Sequence, residues 1–199
     1  MKTDALAQAD PSRWTGQDLV EVYEQQSPGL YRYAVRLLGD VHLAEDCVSA
    51  TFTRLLDVLQ RGGGPRGNVR AYLYTVAHNW IMDFYRRRVP EVTLEAGNLR
   101  GAPGDDPATV VSRERERQQV REALLSLTED QRQVIMLRFY EAWSHEETAE
   151  ALGKSVEATR ALQHRALERL RDDAGGAAEA QADRRAAGGT AHVRHRTII

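Results

Sequence analysis

Only one cysteine, Cys47, occurs in 199 residues. No intramolecular disulfide can form and no cysteine-based zinc site can be assembled, so a reducing cytosol is the simplest compartment. Long apolar runs are missing too. Nothing approaches the ~20 residues that span a bilayer, and Met1 to Asp10 lacks the apolar core of a secretory leader; membrane insertion is not expected. There is no excess of basic charge: 27 Lys and Arg face 29 Asp and Glu, a formal net charge of −2. Phosphate contacts need Lys and Arg, so any DNA binding must come from local segregation of charge. Catalytic constellations are lacking. Gly62-Gly63-Gly64-Pro65 is not followed by the Lys-Ser/Thr of a phosphate-cradling loop. His192 and His195 form an HxxH without the further ligands that coordination requires. No metal, no other cofactor and no enzymatic activity is expected.

Alternation of period two is also absent, and almost every long segment has helical spacing. The expected fold class is all-α, with two helical domains. Ser27 can cap a first helix with Pro28 at its first position, followed by a stripe of Leu30, Tyr31, Ala34, Leu37 and Leu38. After Gly39-Asp40, a second helix carries Leu43, Val48, Phe52, Leu55, Leu56 and Leu59 and ends at the glycine run. A third runs from Val69 to Arg88 with Tyr72, Leu73, Val76, Ala77, Trp80, Ile81 and Phe84 on one face. That spacing makes Trp80 and Tyr72 core residues. The first domain is thus 17–88, preceded by a flexible 1–16. From 89 to 112 the pattern stops. Pro90, Pro103, Pro107 and several glycines punctuate a stretch in which Glu91, Glu95, Asp105 and Asp106 face a single Arg100, an acidic flexible linker.

The second domain is expected over 113–172. Thr128 with Gln131 and Ser144 with Glu147 read as capping boxes, and the helix after the first carries Val134, Ile135, Leu137 and Phe139 as its apolar stripe. Between Ser144 and Leu170 two helices join through Leu152-Gly153-Lys154-Ser155, with small Ala149 at the crossing and Gly153 where a tight turn favours positive φ. This is the spacing of a helix-turn-helix, whose second helix enters the major groove. Its outward positions are Glu157, Arg160, Ala161, His164 and Arg165; Ser155 opens the helix, Lys154 and Arg169 can hold phosphates, and an Arg can donate twice to guanine. Beyond Asp172, residues 173–199 have little apolar content and read as a disordered tail. Cys47 reads as a buried, inert thiol.

With both halves in view, the chain resembles the extracytoplasmic-function (group IV) sigma factors. The matching residues include Leu30-Tyr31-Arg32-Tyr33-Ala34, Ala44-Glu45-Asp46, Val69-Arg70-Ala71-Tyr72-Leu73-Tyr74, Ala77-His78-Asn79 and Arg86-Arg87-Arg88 in the first half. In the second they are Leu127 to Arg132, Ser144-His145-Glu146-Glu147, Ala149 to Gly153 and Leu162 to Ala166. Both sets, in this order, make a far more specific pattern than either alone.

The resemblance implies a factor that binds core RNA polymerase and directs promoter recognition, DNA melting and transcription initiation. It also implies an anti-sigma factor as partner. The first domain would dock on the polymerase clamp through Asp46, Thr51, Phe52, Arg54 and Leu55, although the family's Gln-Glu pair is replaced by Ser49-Ala50. It would read the −10 element with a pocket between the loop Arg61 to Asn68 and Asn79, with Asp83 positioning Arg86, Arg87 and Arg88 on phosphates. The second domain would read the −35 element through Lys154, Ser155, Glu157, Arg160, Ala161, His164 and Arg165. Ala158-Thr159 and Ala161-Leu162 stand where the family commonly has Thr-Val and Ser-Arg, so the −35 sequence itself is not deducible. The competing readings are a stand-alone helix-turn-helix regulator and a helical adaptor that binds only protein. The match from Asn79 to Arg88 argues against the regulator.

Overall fold

The computed structural model describes residues 14–65, 68–88 and 107–189, with side chains described up to residue 174 apart from those of residues 88, 107 and 108. These residues form seven α-helices and no strand. α1 (Gly16–Leu38) begins twelve residues before the position suggested by Ser27 and Pro28. A capping box starts it: the Asp18 backbone N–H donates to Thr15 Oγ1 at 3.3 Å, and the Thr15 N–H donates to the Asp18 carboxylate at 2.7 Å. Pro28 therefore lies inside the helix, where it removes one backbone donor. Burial of Val22, Gln26 and Leu30 on either side holds the helix through it. Gly39 ends α1 at φ 72°, its N–H on the Val35 carbonyl at 2.8 Å.

Asp40 caps α2 (Val41–Gln60) through the N–H groups of His42 and Leu43. Asn68 caps α3 (Val69–Arg88) through those of Arg70 and Ala71. The three pack as a bundle around Leu30, Tyr33, Leu37, Cys47, Leu55, Leu73 and Ile81, each at most 1% exposed. The Cys47 thiol is in this core and burial pushes its pKa up to about 12, so it is not a reactive thiolate.

α4 (Pro107–Ser126) starts earlier than the expected boundary near Arg113; Pro107 occupies the first helical position, where a missing N–H costs nothing. The linker segment 89–106 lies outside the described residues. α5 (Glu129–Ile135) opens with the Thr128–Gln131 box and runs into a π-turn at Met136–Tyr140, closed by the Glu141 N–H on the Met136 carbonyl at 3.2 Å. The widened turn rotates Phe139 and Tyr140 out of the core, to 55% and 39% exposed, so Phe139 is not the core residue its spacing suggested. α6 (His145–Leu152) and α7 (Val156–Gly189) complete the chain. The expected disordered tail is instead helical as far as Gly189, continuing α7 through an alanine-rich run with high helix propensity; 190–199 lie outside the described residues.

One buried arginine organises the second bundle. Arg132 Nε donates to the Leu124 carbonyl at 2.7 Å and Nη2 to those of Leu125 and Leu127 at 3.0 and 2.8 Å, satisfying the C-terminal carbonyls of α4. Its Nη1 reaches Met82 Sδ on α3 at 2.7 Å. The two bundles share one apolar cluster, in which Trp143 lies 5.0 Å from the Tyr74 ring. No described helix is long and apolar enough to cross a membrane.

Candidate nucleic-acid interface

Two outward surfaces carry the sequence-predicted site residues. The first is a groove of about 800 Å³ between α2 and α3, lined by Tyr72, Thr75, Val76, Asn79 and Trp80 from one side and by Asp46, Thr53, Arg54 and Asp57 from the other. Asn79 is exposed, on the polar side of a helix whose opposite face is core. Trp80 is half-buried rather than a core residue. It stacks on Phe84 at 5.8 Å and 10° while also lining the groove, and Tyr72 is likewise half-buried. An amide beside two aromatic rings can hydrogen-bond a base edge and stack its face. The carboxylates of Asp46, Asp57 and Asp83 outnumber Arg54 here, which suits a base better than a phosphate. Asn68 does not belong to this groove. It is eleven residues from Asn79 on the same helix, about 16 Å by helical rise, and its side chain is spent on capping α3. Among the described residues Asn79 lines a groove between two helices; residues 66–67 of the glycine-rich loop expected beside it lie outside the described residues.

Below the groove, Asp83 pairs with Arg86 at 3.3 Å and with Arg87 at 4.0 Å. Arg86 also reaches Glu129 of α5 at 3.5 Å. Both arginines are exposed; for Arg88 the structure describes only the backbone.

The second surface is α7. Gly153 ends α6 at φ 60°, with the Lys154 N–H on the Ala149 carbonyl at 2.9 Å. Ser155 then caps α7 through the Ala158 N–H at 3.1 Å. Buried Ala149, Thr159 and Ala166 fasten the two helices, which leaves Glu157, Arg160, Ala161, His164 and Arg165 exposed on one side. Lys154 is held by Asp130 at 3.0 Å and His164 by Glu168 at 3.4 Å. Arg165 Nε rests on the Ala161 carbonyl at 3.2 Å. This is the helix-turn-helix read from the sequence, with one face of its second helix exposed.

The residues expected to dock on polymerase divide. Asp46 and Arg54 are exposed and line the Asn79 groove. Thr51 and Leu55 are wholly buried, Thr51 Oγ1 donating to the Cys47 carbonyl at 2.7 Å. They hold α2 in the bundle and cannot touch a partner, which corrects that expectation. Phe52 is 9% exposed, its ring 4.8 Å from that of Tyr23. Tyr23 is 50% exposed, as are Val20 at 49% and Leu56 at 41%. Sequence reasoning missed the first two because it began α1 too late; the Thr15–Asp18 spacing is the signal that would have found them.

The two surfaces are held close together. Thr75 Oγ1 in the groove donates to the Ala151 carbonyl of α6 at 2.8 Å, the Asn68 N–H to Glu150 at 3.0 Å, and Tyr74 Oη to Glu141 at 2.6 Å. Burial and the Glu141 carboxylate hold the Tyr74 phenol firmly protonated. The Arg36 guanidinium lies 3.8 Å over the Tyr140 ring and that of Arg70 4.5 Å over Trp143. At the centre His78 is 3% exposed, its Nδ1 2.7 Å from Tyr33 Oη. Burial, reinforced by the Arg132 charge, lowers its pKa to about 4, so it is neutral at pH 7.

Residues 22–90 match the model of Sigma-70 region 2, and residues 123–172 that of Sigma-70 region 4. The chain is 30% identical over 149 residues to the RNA polymerase sigma factor YlaC of Bacillus subtilis, covering 73% of this chain and 86% of that protein. It is 31% identical over 150 residues to the ECF RNA polymerase sigma factor SigL of Mycobacterium tuberculosis, covering 75% and 85%. Among solved structures, CnrH in complex with the cytosolic domain of CnrY aligns with a TM-score of 0.62 at 23% identity, over 87% of this chain and 98% of that one. The sigma factor RpoE of Bartonella quintana, in complex with the anti-sigma factor NepR, aligns at 0.56 and 23%, over 78% and 96%. With both sigma regions in order and these relatives matched over most of their length, the chain belongs to the extracytoplasmic-function sigma factors of the sigma-70 family, which direct RNA polymerase to promoters.

Proposed function

We propose that promoter opening by this sigma factor uses the α2–α3 groove to hold one strand-separated base of the −10 element, with Asn79 on its edge and Trp80 and Tyr72 beside its face. The observation that carries this is an exposed amide next to two half-buried rings in a groove where carboxylates outnumber cations. Extruding a base costs a few kcal/mol, which stacking at ~1–3 kcal/mol per base and a hydrogen bond offset. Arg86, Arg87 and Arg88 follow the strand's phosphates, with Asp83 aligning the first two. Arg160 and Arg165 read the −35 element in the major groove, flanked by Glu157, Ala161 and His164, while Lys154 and Ser155 meet the backbone. Polymerase docks on the exposed patch of Val20, Tyr23 and Leu56 around the edge of Phe52, with Asp46 and Arg54 at the groove's rim. The chain acts in the cytosol as a non-catalytic initiation factor, and an anti-sigma factor is its partner, as NepR is of the similar RpoE.

The packed form is not the one that spans a promoter. Helix rise and chain reach from the Thr75–Ala151 contact keep Asn79 and Arg165 within about 40 Å, whereas the two elements, about 25 base pairs apart, are separated by about 85 Å. Opening the α3–α6 contact is therefore part of engaging polymerase. The test is run-off transcription and permanganate footprinting with the full chain and core polymerase. Asn79→Ala is expected to abolish strand opening while holoenzyme assembly stays unchanged. Equal loss of both, or opening that persists, removes Asn79 from the reading site.

A further inference from the structure

α1 and α4 form a second groove of about 600 Å³, lined by none of the residues assigned above to DNA or polymerase docking. Its floor is largely apolar, built by Tyr31, Val35 and Val120, the last 40% exposed. Its walls are cationic. Arg32 and Arg36 come from α1 and Arg113, Arg117 and Arg121 from α4, against the one lining carboxylate of Glu116. Several of these cations already have contacts: Arg117 pairs with Glu114 at 3.6 Å, and Arg36 lies over Tyr140. Arg121 stands apart. It is only 5% exposed, Nη1 donates to Gln118 at 2.5 Å, and Nε is buried without a partner among the described residues. Gly39 makes room for it, since a Cβ at that position would collide with the guanidinium.

We propose that this groove is a binding site for a small anionic amphiphile, a carboxylate on an aliphatic body, with the carboxylate among the guanidinium groups and the chain on Tyr31, Val35 and Val120. The volume falls within the range of small-molecule sites, and the combination of apolar lining with a few convergent cations is what such a ligand requires. The groove is formed jointly by a helix of region 2 and by α4, whose C-terminal end is tied to region 4 through Arg132, so an occupant binds the packed arrangement and not the opened one. It shifts the population toward the packed form and lowers initiation. This regulatory half rests on the promoter-opening reading above; the binding half does not.

The experiment titrates the full chain with decanoate below its micellar concentration, followed by isothermal calorimetry, with decanol as the uncharged control. One saturable site is expected for decanoate and none of comparable affinity for decanol. Arg32→Gln with Arg117→Gln removes two exposed cations and is expected to weaken binding about tenfold or more. Val120→Glu, which sets a carboxylate on the floor, is expected to abolish it; an unchanged thermal melt of each variant confirms that the fold is intact. Asn79→Ala is expected to bind decanoate normally, which separates this site from the promoter reading. Run-off transcription is expected to fall when decanoate meets the free chain before core polymerase, and to be insensitive in the Val120→Glu variant. No saturable binding, equal binding of decanol, or affinities untouched by both variants overturns the site. Binding with transcription unchanged overturns the regulation.

Discussion

The groove of region 2 and the second helix of the region 4 helix-turn-helix present the residues proposed to face DNA from differently built supports. Asn79 and Trp80 emerge from the middle of a 20-residue helix whose other face is core, so apolar interdigitation places them. Arg160, His164 and Arg165 emerge from a helix whose start is set by polar corners: the Ser144 capping box, the left-handed Gly153, the Ser155 cap and, behind them, Arg132 on three carbonyls. The charges differ as well, carboxylate-rich in the groove and arginine-bearing on α7. A base taken out of its stack is held by ring faces and one amide and needs little positive charge. A duplex must be approached through its phosphates and read through its base edges. The first support should absorb the loss of a polar group; the second should not.

The largest test of that contrast is Arg132→Ala. It orphans the carbonyls of Leu124, Leu125 and Leu127 in a buried setting, and about 3–5 kcal/mol of stability should be lost in equilibrium urea unfolding. A loss below about 1 kcal/mol breaks the claim that polar corners carry region 4. Next is acid. His78 binds its proton less readily folded, near pH 4, than unfolded, near 6.5. Between those values the unfolded chain holds more protons, so stability falls as pH drops through the window, by up to about 3 kcal/mol. His78→Gln should flatten that part of the profile; an unaltered slope assigns it to other groups. A smaller effect is expected from Arg165→Ala, about 1–3 kcal/mol on holoenzyme affinity for a duplex carrying the −35 element, with strand opening at a pre-melted −10 element unaffected. Anisotropy with and without that element measures both. The smallest is Gly153→Ala. A Cβ there meets nothing within 4 Å, so only the positive φ opposes it, at about 1 kcal/mol. A loss several times larger would mean that the turn is under strain from elsewhere.

The helices were legible wherever the apolar period was clean and the ends were capped. α3 runs over the expected Val69–Arg88, and the Thr128 and Ser144 boxes open α5 and α6 where their spacing indicates. Gly153 adopts the expected left-handed turn. What misled were local signals that compete with each other. Pro28 reads as a helix start, but the Thr15–Asp18 box and burial on both sides carry α1 through it. Phe139 keeps the apolar period that the π-turn breaks, because periodicity assumes 3.6 residues per turn throughout. Thr51 and Leu55 match the family pattern equally as contact or core residues, and only burial separates the two roles.

Local chemistry thus determined the all-helical class, the two-bundle order, the helix-turn-helix and the outward setting of Asn79 and of the α7 arginines, because 3.6-residue periodicity and capping act within a few residues of chain. Tertiary structure alone decided which helices form the Asn79 groove and that regions 2 and 4 meet through Thr75, Tyr74 and Trp143. Those pairings join residues from about thirty to about seventy-five positions apart, and no pattern within one helix encodes which face a distant helix will cover.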